Sequence, residues 1–98
     1  MKQDYYFIFL DFVDEDEINR WVYLSKEGVI RYATGTITGT AFTKKELSFV
    51  VAIAGLLFEV ERRNIKKVEI IQRFKDGEEE VYKEFKSYVW QNESGREQ

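Results

Sequence analysis

The side chains in this chain that could do chemistry are carboxylates, amines, hydroxyls and phenols, because histidine and cysteine are both absent. Without histidine the commonest general base and metal ligand is missing, and with it every Ser-His nucleophile system. Without cysteine there is no thiolate nucleophile, no thiolate metal site and no disulfide. A reaction would have to rest on carboxylates, lysine or tyrosine, and the carboxylate route needs two acidic side chains converging in a pocket that shifts their pKa values. The densest acidic run, Asp11, Asp14, Glu15, Asp16 and Glu17, reads instead as a solvated connection. It opens like a calcium loop at Asp14, but Asn19 and Ser25 stand where that loop needs glycine and glutamate. The sequence predicts no enzyme, no cofactor and no metal site.

Two groups of residues suit anions. Gly35-Thr36-Ile37-Thr38-Gly39-Thr40 precedes a helix start, where backbone N–H groups attract negative charge, and Lys44 and Lys45 follow in the first turn. The glycine spacing departs from that of phosphate loops and no lysine follows Gly39 directly, so the segment reads as a turn before a capped helix. Arg62, Arg63, Lys66, Lys67, Arg73 and Lys75 form the main basic cluster and are the candidate nucleic-acid contacts, through phosphates and stacking on nearby aromatics. The net charge of −3 works against that reading. The same cations also suit a helix C-terminus followed by a strand edge guarded against pairing.

The elements that must position these groups belong to one domain. With 98 residues, 44% hydrophobic and 16% aromatic, the chain can bury a single core without staples. The expected domain spans residues 1–91, and the polar stretch 92–98 is expected to be a disordered tail. Asp4 to Phe12 is apolar on both alternating faces, the pattern of a central strand covered on both sides. Arg20 to Ser25 and Val29 to Thr34 flank Lys26-Glu27-Gly28 as a hairpin. Lys67 to Phe74 alternates as a half-buried strand, and Asp76-Gly77 is a strong hairpin turn. A two-residue turn there puts Lys75 opposite Glu78, Arg73 opposite Glu80, Ile71 opposite Tyr82 and Val68 opposite Phe85. The last segment also fits a helix, since Val81, Tyr82, Phe85, Tyr88 and Val89 share about 120° of arc. The fold class is α+β: an antiparallel sheet of four to five strands against one long helix, in the order β-β-β-α-β-β, the final element strand or helix.

The helix carries the strongest local signal. Thr43-Lys44-Lys45-Glu46 matches a capping box, and Phe42 and Leu47 have the spacing of a hydrophobic staple. From there a helix is expected to run to Arg63 and stop at Asn64. Gly55 leaves an alternative, a break near Ala54 followed by a strand over Leu56 to Glu61. Projected as a helix, the apolar residues cover roughly 220° of its girth, far more than the stripe that one sheet hides. Either the chain's own C-terminal segment or a strongly curled sheet wraps the second face, or that face is a contact surface. Phe49, Ile53, Leu56 and Val60 are the candidate interface residues.

Trp21-Val22-Tyr23-Leu24-Ser25, Gly28, Tyr32 and then Phe42-Thr43-Lys44-Lys45-Glu46-Leu47 give the middle half of the chain its character. In these features it resembles small uncharacterised proteins encoded by prophages and other mobile elements of Gram-positive bacteria. The resemblance implies a protein acting stoichiometrically on host machinery, as inhibitor or adaptor, and carries over no site residue. The longest apolar run, Leu47 to Phe58, is well short of the roughly 20 residues that cross a bilayer, and the N-terminus lacks a signal-peptide pattern. The expectation is therefore a cytoplasmic, non-enzymatic interaction module that binds itself or another protein without a membrane. The alternative is a nucleic-acid-binding accessory protein using residues 62–75.

Overall fold

The aromatic run near the N-terminus forms strand β1, Tyr5–Phe12, and it becomes the middle of the sheet. The computed structural model describes residues 3–12, 20–24, 28, 30–33 and 39–86. Strands β2 (Arg20–Leu24) and β3 (Ile30–Ala33) come next. A 3-10 turn over Lys44–Glu46 leads into helix α1, Leu47–Val60. Strands β4 (Ile65–Arg73) and β5 (Glu79–Lys86) complete the fold. The strand order is β3-β2-β1-β4-β5, with every neighbouring pair antiparallel. This is an α+β domain, and Glu79–Lys86 forms a strand rather than a helix, while Tyr88 and Val89 lie outside the described residues.

Alternation along the strands builds the core. Tyr6, Ile8 and Leu10 of β1, Val22 of β2, and Val68 and Ile70 of β4 all face α1. Against them the helix lays Val50, Ile53, Ala54 and Leu57, with Phe42 and Ile65 also in the cluster. Each large aliphatic side chain buried this way contributes roughly 1.5–3 kcal/mol.

On its other edge β1 has two partners. It pairs with β2 at Phe9 and Leu10, whereas Tyr6 exchanges two backbone hydrogen bonds of 2.8 Å with Phe42. Thr40 donates its backbone N–H to the Val22 carbonyl at 3.1 Å. Residues 39–42 thus slot between β1 and β2 where those strands part. The close fit explains Gly39, because a Cβ there would lie 3.0 Å from the Val22 carbonyl oxygen. At the same end Asp4 ties β1 to the far hairpin, accepting from Gln72 Nε2 and from the Lys75 backbone N–H, both at 3.0 Å.

The β4–β5 hairpin departs from its expected register in an instructive way. Gly77 donates to the Phe74 carbonyl and Phe74 to the Glu78 carbonyl, so three residues rather than two make the loop. Gly77 sits at φ +97°, the left-handed position that such a loop reserves for glycine. Asp76 Oδ1 supports it by accepting the Glu78 N–H at 2.9 Å. Arg73 therefore faces Glu79 and Ile71 faces Val81, each one residue off the two-residue expectation. An irregularity between Ile70 and Ile71 absorbs the offset, and Val68 faces Phe85 as expected. The displaced residue is Tyr82, whose ring meets Tyr6 edge-on at 5.5 Å.

The helix runs unbroken through Gly55 and ends at Val60, short of the expected Arg63. At its start Thr43 and Glu46 form the capping box, with the Thr43 N–H donating to Glu46 Oε1 at 2.9 Å. At its end the Asn64 N–H bonds the Glu61 carbonyl at 2.7 Å, turning the chain so that Ile65 drops into the core. The acidic residues Asp14 to Glu17, the start of the Gly/Thr segment and the tail at 92–98 lie outside the described residues.

Two glycines should respond in opposite senses. Gly39→Val should cost about 1–3 kcal/mol through overpacking against backbone. Gly55→Ala should stabilise by up to about 1 kcal/mol, because its nearest neighbour, the Phe85 ring, lies an ordinary 3.9 Å away. Urea titrations of both variants read the difference directly.

Burial, and then the nearby Asp4 carboxylate and Tyr82, push the Tyr6 phenol above its ordinary pKa. The unfolded chain ionises this group near pH 10 while the folded one still holds its proton. Stability from this source is complete below about pH 10 and falls as pH climbs toward the raised folded value. Denaturation of Tyr6→Phe across that window should show a shallower alkaline loss than the parent.

Candidate interaction surface

Helix α1 seals one stripe and leaves another open. Val50, Ile53, Ala54 and Leu57 are buried against the sheet. Leu47, Val51 and Phe58 are half-buried, and the Phe58 ring lies 6.0 Å from Phe85 on the β5 side. On the opposite flank Phe49, Leu56 and Val60 are 51%, 58% and 68% exposed. Phe42, ring to ring at 6.2 Å, props Phe49 from beneath. Ala52 is exposed beside this row.

Ile53 needs correcting. The sequence projection groups it with the outward row, but it is only 8% exposed and belongs to the core. At about 100° per residue it stands only about 40° round the helix from the buried Leu57. The sheet takes that side, so Ile53 has almost no surface to offer. Of the candidate interface residues, Phe49, Leu56 and Val60 share one exposed face.

The sheet face away from α1 holds a second apolar group. Phe7, Phe9 and Trp21 cluster there, with ring separations of 6.4 Å for Phe7–Trp21 and 4.8 Å for Phe9–Trp21. Ile71 pairs with Phe7, and Val81 pairs with Ile71 and is 46% exposed. The sequence showed β1 apolar on both faces, which implied a covering layer on each. Among the described residues only one face carries a helix. Phe7 is nonetheless just 5% exposed, because the Arg73 guanidinium stacks 4.6 Å from its ring centroid and the Trp21 ring stands edge-on to it. This shielding by neighbours on one face had no separate signal in the sequence beyond the aromatic alternation.

The basic cluster does not come together. Arg62 and Arg63 sit in the turn after α1, and Lys66 lies where β4 slips register against β1. Arg73 and Lys75 lie at the far end of β4, about 23 Å from Lys66 at 3.3 Å per residue. Three of the six already face carboxylates: Arg62 lies 3.9 Å from Glu59, Lys67 3.3 Å from Glu69, and Arg73 Nε donates to Glu79 at 2.6 Å. At the helix start the Thr40 N–H is bonded to Val22 and the Thr43 N–H to the Glu46 carboxylate, which sets a negative charge beside the first turn. A surface depression lined by Gln3, Thr43, Lys44 and Lys45 lies beside that cap.

No family model, curated protein or solved structure matches this chain. Function must be read from the surface itself. Among the described residues no helix is long and apolar enough to cross a membrane.

The two ends of the basic cluster should behave differently on substitution. Arg73→Gln removes an ion pair and a cation–π contact and should cost about 1 kcal/mol. Lys75→Gln, at an exposed hairpin tip whose backbone alone is engaged, should lie within about 0.5 kcal/mol of the parent. Thermal melts of the two variants make the comparison.

Proposed function

We propose that this domain is a non-enzymatic protein-interaction module whose contact surface is the outer flank of α1. One observation carries the reading: Phe49, Leu56 and Val60 are each more than half exposed on a rigid helix whose opposite stripe is sealed. Isolated exposed apolar residues are ordinary on protein surfaces, but a contiguous row of large ones marks a contact site. Such a row, once covered, supplies the apolar centre of an interface, and the rim here is charged, with Lys45, Glu59 and Arg63 exposed beside it.

The occupant is itself or another protein. A stoichiometric role, as inhibitor or adaptor, fits the resemblance to mobile-element proteins. A reducing compartment such as the cytoplasm suits a chain without cysteine. The nucleic-acid alternative lacks a single patch to rest on, since the six cations divide between the two ends of β4 and three of them face carboxylates.

A photo-crosslinking residue at position 56 should yield a protein adduct, of this chain or of a partner. Phe49→Asp should cut that yield about tenfold, equivalent to about 1.4 kcal/mol. The same probe at Asp76 on the hairpin tip should give none. Absence of any adduct from position 56 ends the reading.

A further inference from the structure

We infer that the occupant of this face is a second copy of the chain, with the two α1 helices antiparallel and crossing at Ala52. The inference rests on the reading of the α1 flank as a contact surface and adds its partner, direction and register.

Spacing fixes the register. Lys45 and Glu59 each lie seven residues from Ala52, one before it and one after. Ala52 and Glu59, close to two helical turns apart, share one stripe of α1, and Lys45 stands in the 3-10 turn just ahead of the helix. All three are exposed. Phe49 and Leu56 form the adjoining stripe, three residues before Ala52 and four after it. A two-fold axis through Ala52 therefore sets Lys45 of each copy against Glu59 of the other. It also sets Phe49 of each copy against Leu56 of the other.

Charge fixes the direction. A parallel pair would place Lys45 on Lys45 and Glu59 on Glu59, two like-charge contacts, where the antiparallel pair makes two attractive ones. Lys45 has no ion-pair partner among the described residues. Glu59 has only the 3.9 Å contact with Arg62, between side chains 65% and 59% exposed. A pair that open is worth little and is readily exchanged for a better one.

Size fixes the approach. Ala52 is the smallest residue of the exposed row and sits at its midpoint, which lets the backbones close to the short end of the usual 8–10 Å between helix axes. The Ala52–Glu59 stripe lies roughly 150° around the helix from the buried stripe. The second copy thus stacks over α1, giving sheet, helix, helix and sheet in layers. Val60, at the end of the row, covers the aliphatic stem of Lys45 from the other copy.

The absence of cysteine makes the geometry directly testable. With axes about 8–10 Å apart and Cα atoms about 2.3 Å from each axis, the two Ala52 positions fall within disulfide reach, about 4–7 Å. Ala52→Cys should oxidise to a covalent dimer. Lys45→Cys and Glu59→Cys should not cross-link alone, but an equimolar mixture of the two should. In sedimentation across a concentration series, Lys45→Glu and Glu59→Lys should each weaken the dimer about tenfold, and the double variant should recover to within about threefold of the parent. Self-linking of Lys45→Cys as readily as Ala52→Cys would mean a parallel pair and overturn the proposal. A monomer at every concentration would overturn it too, while a position-56 adduct with a different protein would leave the contact-surface reading intact. Loss of the dimer in Leu56→Asp with indifference to both charge reversals would likewise reject this crossing and keep the surface.

Discussion

The structure depends on one seam, the contact between the β1–β4 pair and the inner stripe of α1. Ile8, Leu10, Val68 and Ile70 on the sheet meet Val50, Ala54 and Leu57 on the helix, and all seven are buried. Everything else is arranged around that contact. Because the helix spends its inner stripe there, Phe49, Leu56 and Val60 on its other flank stay more than half exposed. Because β1 lies at the centre, its other aromatic face must be shielded by what stands on the same side. The surface chemistry of this domain is what remains after the seam has been satisfied.

Much of this was legible in the sequence, and for identifiable reasons. The capping box at Thr43 and Glu46 is a local signal with a local cause, and it appears where expected. Alternation in β1 and β4 gave both strands and the central place of β1. What failed was register. Asp76-Gly77 suggests a two-residue turn, but a glycine in the left-handed region serves a three-residue loop equally well, and only the paired strands decide between them. The irregularity beside Ile70 then reverses the error further along, so Val68 and Phe85 meet although Arg73 and Glu80 do not. The helix end shows a similar limit. Arg62 and Arg63 suit a last helical turn, yet the need to bury Ile65 ends the helix at Val60.

The candidate surface was legible as an excess and not as an address. Counting apolar residues around α1 shows more than one sheet can hide, whatever the direction of the sheet. Which of them face out depends on the side the sheet occupies, and that is set by packing between residues far apart in the chain. Ile53 and Val60 are about 20° apart on the helix, and they fall on opposite sides of that boundary. The basic cluster is spread out for a related reason. Residues 62–75 are neighbours in sequence, but an extended strand carries them from one end of the sheet to the other.

The order of strands also bears on how the domain is made. β1 is synthesised first, yet its longest pairing is with β4, which leaves the ribosome only after the helix, and its second edge is completed by Phe42. Until then both of its aromatic faces lack their permanent neighbours. Partnerships between distant parts of a chain form slowly and leave strands open to wrong company in the interval. An emerging chain of this kind gains from whatever shields β1 until β4 arrives, such as a chaperone.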